Sequence, residues 1–122
     1  MNQAHPTTAA LEKQLRERRQ TLRAEIRATL MRADAERYTD IADRLADIED
    51  RPLAELLARV SHADVARDVE EISDIEAALL RMSLGTYGVC VNCRSPIPAE
   101  RLAAYPTAKR CLPCQQRHER KD

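Results

Sequence analysis

Four cysteines carry the clearest chemistry in this chain. They form two pairs, Cys90-x2-Cys93 and Cys111-x2-Cys114, with seventeen residues between them. Each pair offers two sulfurs from one tight turn, and four thiolates complete a tetrahedron around a soft divalent ion such as zinc. A thiol must lose its proton to bind, so metal uptake and folding are coupled. One Cys-x2-Cys could be a redox pair, whereas two at this spacing point to a metal. Two disulfides in a secreted domain are the competing reading. The N-terminus lacks the charged start and apolar run of a signal peptide, which favours metal in a reducing cytosol. With four protein ligands no position is open to water or substrate. The expected cofactor is one structural Zn²⁺ per chain, and the chain is not expected to be an enzyme. His118 lies outside the complete ligand set, and Arg94, Lys109 and Arg110 are the cations expected to moderate the thiolate charge.

The elements that must position these cysteines read as helices. The chain has 122 residues, no Phe or Trp, and three Tyr, so its core must be built from Leu, Ile, Val and Ala. Such a core suits helix against helix better than a sheet sandwich. Residues 1–8 carry no periodic pattern and are expected to be a flexible tail, with Thr8 able to cap the first helix. From Ala9, an apolar stripe of Leu11, Leu15, Leu22, Ile26, Leu30, Ile41, Leu45 and Ile48 recurs mainly at helical steps, and no Gly or Pro falls between Ala9 and Arg51. Pro52 disfavours helical geometry in Arg51, so the first helix is predicted to end near Asp50. A second stripe follows in Leu53, Leu56, Leu57, Val60, Val65, Val69, Ile72, Ile75, Leu79 and Leu80. The prediction is a mainly α chain: a long antiparallel helical hairpin, or coiled coil, over 9–84, with its tip near 47–53. Ser61, with Asp64 three residues on, reads as a helix cap and marks a second possible site for the reversal, and His62 beside it is expected to face solvent. Two helices of roughly 30 residues would each span about 45 Å. Gly85 is placed to cap the second helix and Gly88 to turn the chain towards Cys90. Residues 85–122 then form the zinc finger and a short C-terminal helix.

Charge patterning narrows the partners. Residues 11–32 hold seven bases and three acids, and residues 34–50 hold seven acids and two bases, within a net charge of zero. That alternation does not make the continuous positive surface of a general nucleic-acid binder. No segment has the length of a membrane span.

The finger resembles the DksA/TraR-type zinc-finger regulators of bacterial transcription. The matching residues are Gly85-Thr86-Tyr87-Gly88-Val89-Cys90-Val91-Asn92-Cys93, then Ile97, Arg101-Leu102, Ala104, Pro106-Thr107-Ala108 and Cys111-Leu112-Pro113-Cys114-Gln115. Arg94 departs from the pattern, which usually has Gly after the second cysteine. The resemblance implies a cytoplasmic protein that binds RNA polymerase, inserts its coiled-coil arm into the secondary channel and acts on initiation through acids at the arm's tip. At the family's spacing from Cys90 those acids are Asp47 and Asp50, with Pro52 in place of the usual Ala. Some members need ppGpp and hold it with cations. At the corresponding positions this chain has Asp74, Tyr105 and Gln115, so it is expected to act without ppGpp.

The resulting expectation is a monomeric regulator that binds RNA polymerase and neither DNA sequence nor membrane. Two alternatives belong to other classes. One is a nucleic-acid-binding finger using Arg94, Arg101, Lys109, Arg110, Arg117, Arg120 and Lys121. The other is a helical adaptor pairing with another protein's helices.

Overall fold

A computed structural model describes residues 5–47 and 52–120. The chain is mainly helical: α1 is Thr8–Asp47, α2 Leu53–Leu57, α3 Ala63–Leu84, α4 Ala99–Ala104 and α5 Leu112–Glu119. It divides into two compact units, one of residues 16–76 and the other of residues 1–15 with 77–122.

Helix α1 is long, as its apolar stripe requires, but it is not continuous. Asp34 has φ −162° and ψ 86°, outside the helical region. The Arg27 Nε donates to the Ala42 carbonyl at 3.2 Å. On an unbroken helix those residues would be about 22 Å apart. The chain therefore folds back at Asp34, and the uninterrupted helix expected from Ala9 to Asp50 does not form. The physical reason lies in the stripe. Leu30 and Tyr38 are both buried, and Asp34 stands four residues from each, so a continuous helix would put its carboxylate on the apolar face. Broken out, Asp34 is exposed, and its Oδ1 accepts the Arg37 N–H at 3.0 Å as the cap of the returning segment. The eleven-residue gap between Leu30 and Ile41 in the stripe was the sequence signal. The returning segment buries Tyr38, Ala42 and Leu45, leaving Ile41 half-buried.

The 16–76 unit buries Leu22, Ile26 and Leu30 from α1, Leu53 and Leu57 from α2, and Val65, Ile72 and Ile75 from α3. Its polar centre is Glu76. Glu76 Oε2 accepts from Arg19 Nε at 2.9 Å and from the Leu53 N–H at 2.6 Å, while Oε1 accepts the Ala54 N–H at 2.9 Å. One carboxylate thus satisfies two free N–H groups at the start of α2 and neutralises a buried arginine. A second pair, Arg18–Glu71, is bidentate at 2.7 and 3.0 Å. The Arg18 hydrogen bond lowers the Glu71 pKa below its ordinary 4.5. That contribution to stability is therefore present above the ordinary value and fades as pH falls through the lowered one. The pair is substantially exposed, so its contribution is under about 1 kcal/mol.

Capping differs from expectation at two helix starts. Thr7, not Thr8, caps α1, its Oγ1 accepting the Ala10 N–H at 3.1 Å. His62, rather than Ser61, precedes α3, its Nδ1 accepting the Asp64 N–H at 3.2 Å. His62 is half-buried and stands edge-on to Tyr38 with ring centroids 6.1 Å apart, which is why it does not simply face solvent. The described fold-back lies at Asp34; the tip expected near 47–53 includes residues 48–51, which lie outside the described residues. No described helix is long and apolar enough to cross a membrane.

Candidate metal centre

The finger's cysteines are presented by two turns and one helix. Gly85 ends α3 with φ 77°, and the Thr86 N–H returns to the Arg81 carbonyl at 2.9 Å, a left-handed cap that costs glycine little. Gly88 has φ 83°, and a Cβ there would meet Leu102 Cδ1 at 3.5 Å. The first knuckle closes with the Cys90 N–H on the Ser95 carbonyl at 2.9 Å and the Arg94 N–H on the Cys90 carbonyl at 3.0 Å. Arg94 completes this turn at φ 65°, so the left-handed position usually filled by Gly survives with an arginine in it, at some conformational cost. An isolated antiparallel bridge, Val89 to Pro96, backs the knuckle. The second pair begins at Cys111, just before α5, and Pro113 sits in the first turn of that helix, where its missing N–H does no harm. The Val91 N–H bonds to the Lys109 carbonyl at 2.9 Å, tying the two knuckles together. Tyr87 Oη donates to the Pro106 carbonyl at 2.8 Å and Arg101 Nε to the Arg110 carbonyl at 3.1 Å, fixing the intervening loop.

These turns bring all four sulfurs within 4.8 Å of one another. Cys93 Sγ and Cys111 Sγ are 3.7 Å apart. A tetrahedron with Zn–S bonds of about 2.3 Å has edges of about 3.8 Å, so the donor set has the size zinc requires. The four sulfurs converge on one point and do not form two bonded pairs, which favours the metal over the disulfide reading. Cys90 is fully buried and Cys114 nearly so, packed with Ile97, Leu102 and Cys111.

Sulfur ionisation points the same way. Burial opposes ionisation of Cys90, yet the backbone N–H groups of Cys93, Cys111 and Asn92 bring its pKa down to about 6. The Ser95 N–H, then the Ser95 hydroxyl, lower Cys93. Cys114 is pushed up to about 12, first by hydrogen bonding with Cys111, then by burial and the other two sulfurs. Four sulfurs this close cannot all ionise against one another; a divalent cation among them removes that conflict.

The surrounding cations are arranged differently from expectation. Arg117 Nη2 lies 3.4 Å from Cys114 Sγ, placing a guanidinium on a ligand sulfur. Arg110 turns instead to Asn92 Oδ1 at 2.7 Å. The signal for Arg117 was its position three residues after Cys114 on a helix. His118 is exposed and lines, with Asn92, Cys93, Cys114 and Arg117, a cavity of about 320 Å³ beside the sulfurs. Among the described residues it does not join the ligand cluster. Asp47 is exposed at the last residue of α1, and Asp50 lies outside the described residues.

Comparison with known proteins agrees with this site. The prokaryotic dksA/traR C4-type zinc finger matches residues 85–120. The RNA polymerase-binding transcription factor DksA of Caulobacter vibrioides is 37% identical over 111 residues, covering 91% of this chain and 69% of that protein. An uncharacterized protein of Aquifex aeolicus is 36% identical over 66 residues, 54% of this chain and 43% of its own. An uncharacterized 8.2 kDa protein of Escherichia phage P2 is 46% identical over 48 residues, 39% of this chain and 65% of its own. No solved structure matches. Four sulfurs spaced for one structural zinc, in a chain that aligns with DksA over nine-tenths of its length, place this protein in the DksA/TraR family of C4-type zinc-finger proteins.

Proposed function

We propose that this chain is a cytoplasmic, monomeric regulator of transcription that binds RNA polymerase directly. The observation that carries this reading is the 37% identity, over 91% of the chain, to a protein named for binding RNA polymerase. The helical segments before the finger enter the secondary channel, and Asp47 and Asp50 act there by charge. The exposure of Asp47 at the end of α1 is compatible with that role. The chain is not an enzyme, since a zinc held by four sulfurs has no position for a reactant.

The nucleic-acid reading is weaker, because several finger cations are engaged within the finger. Arg101 lies over the Tyr105 ring at 5.6 Å and bonds the Arg110 carbonyl, Arg110 holds Asn92, and Arg117 lies on Cys114. Action without ppGpp follows from the acid, phenol and amide at Asp74, Tyr105 and Gln115, none of which supplies the cation a polyphosphate needs. Gln115 Nε2 moreover donates to Glu119 Oε2 at 2.8 Å, placing a carboxylate beside it.

The test is pull-down with the cognate core polymerase, followed by transcription in vitro with Asp47→Asn/Asp50→Asn. Polymerase affinity should change by less than about tenfold, or ~1.4 kcal/mol, while the effect on initiation is lost. A double variant that regulates normally would rule out the acidic contact. In a separate experiment, ppGpp added to polymerase lacking its own ppGpp sites should leave this chain's effect unchanged. Strong synergy would show that the ligand is held by other side chains.

A further inference from the structure

His118 is the finger's one imidazole, and the fold sets it beside the sulfurs without using it. It follows Cys114 by four residues on α5, so the two side chains lie one turn apart on the same helix face. A three-residue gap of this kind also joins the last two ligands of many Cys2His2 fingers. Cys114 and His118 line the same cavity of about 320 Å³, and that cavity also reaches Cys93 but not Cys90 or Cys111. Among the described residues no hydrogen bond or ion pair engages the His118 ring, so turning it towards the sulfurs breaks none.

The sulfur that the ring can replace is Cys93. Cys90 and Cys114 are buried and Cys111 is half-buried, whereas Cys93 is exposed. The first three pack with Ile97 and Leu102, and Cys93 stands outside that cluster. The next residue, Arg94, holds φ 65°, a conformation that costs any residue with a side chain. Cys93 is therefore presented by a strained turn and held by little packing. Charge favours its exchange as well. Four thiolates on a divalent ion leave a formal excess of two negative charges, and a neutral imidazole in place of one thiolate halves it.

We propose that His118 is a reserve zinc ligand, taking the place of Cys93 when that sulfur leaves or is chemically blocked. Cys90, Cys111, Cys114 and His118 then hold the ion. In the exchange the Zn–S bond to Cys93 breaks, and the sulfur keeps the electron pair and takes a proton from solvent. The Zn–N bond forms from a lone pair of a ring nitrogen, and the ion stays Zn²⁺ throughout. The finger thus keeps its metal through loss of its exposed ligand. This holds whether or not the chain binds polymerase.

The experiment uses the full chain and reads zinc affinity by competition with a chelator. Cys93→Ala should still hold one zinc. Cys93→Ala/His118→Ala should hold it at least about tenfold more weakly, the lower end of what even residues outside a ligand set contribute. His118→Ala alone should leave affinity nearly unchanged, since four sulfurs remain. The nitrogen resonances of ¹⁵N-labelled His118 report ligation directly. Zinc should shift a ring nitrogen strongly in Cys93→Ala and leave it unmoved in the unsubstituted chain. With Co²⁺ as the probe, Cys93→Ala should lose one sulfur's share of the thiolate-to-metal absorption. Equal zinc affinity for Cys93→Ala with and without His118, or an unshifted ring nitrogen in Cys93→Ala, would overturn the proposal. A ring nitrogen already shifted in the unsubstituted chain would also overturn it, because His118 would then be a resident ligand. If Cys93→Ala does not fold, iodoacetamide on the zinc-loaded chain decides the matter. The Cys93 sulfur displaces iodide from carbon, and native mass spectrometry counts the zinc left on chains modified once, at Cys93. Chains with His118 should keep one zinc and His118→Ala chains should lose it; equal loss from both would refute the reserve role.

Discussion

Cys90→Ser is expected to empty the metal site and unfold the finger while leaving the 16–76 unit helical. The finger has little else to hold it. Beyond its cysteines, the buried apolar residues after Gly85 are Ile97 and Ala108, far too few to offset the entropy of ordering some 35 residues. A structural zinc contributes on the order of 10–16 kcal/mol to the folding of such a module, so its loss is decisive. Metal analysis should fall from about one zinc per chain to near zero. Helicity should drop by the six residues of α4 and the eight of α5, with α1 retained. Because Cys90 is fully buried at the centre of the cluster and Cys93 is exposed, Cys93→Ser should be the milder of the two. A Cys90→Ser protein that kept its zinc and both short helices would contradict the four-sulfur site.

Glu76→Ala should destabilise the 16–76 unit by roughly 3–5 kcal/mol, the range for removing one partner of a buried ion pair. Arg19 is 7% exposed, and its charge would lose the carboxylate 2.9 Å away. The Leu53 and Ala54 N–H groups would lose their acceptor in the same step. Glu76→Gln keeps one acceptor oxygen and should cost less, because the α2 start stays partly capped. The urea midpoint reads both, and the predicted loss is a large fraction of an ordinary domain's stability. Equal midpoints for Glu76→Ala and the unsubstituted chain would mean the carboxylate carries no stability. A double-mutant cycle with Arg19→Met separates the ion pair from the α2 cap.

The metal site was legible from the sequence because each Cys-x2-Cys pair is a local structure. Its turn is set by neighbours such as Gly88, and spacing alone fixes the ligand count. The helical character was legible for a similar reason, since apolar residues at helical steps in a chain without Phe or Trp leave few other folds. Other features were not. Arg117, rather than Arg94 or Lys109, reaches a ligand sulfur, because which cation does so depends on where α5 points its side chains. Glu76 was invisible in the sequence, as its partners Arg19 and Leu53 lie 57 and 23 residues away.

Asp34 marks the boundary between what sequence and tertiary structure each decided. By itself the sequence determined four thiolates for one zinc, a finger after Gly85 and helices before it, because these follow from local spacing and propensity. Local propensity also favoured one uninterrupted helix through residue 34. Only the tertiary structure decided that the helix breaks there. Burying Leu30 and Tyr38 leaves no place for a carboxylate on the face between them, and the cost of burying that charge exceeds the gain from a few more helical hydrogen bonds.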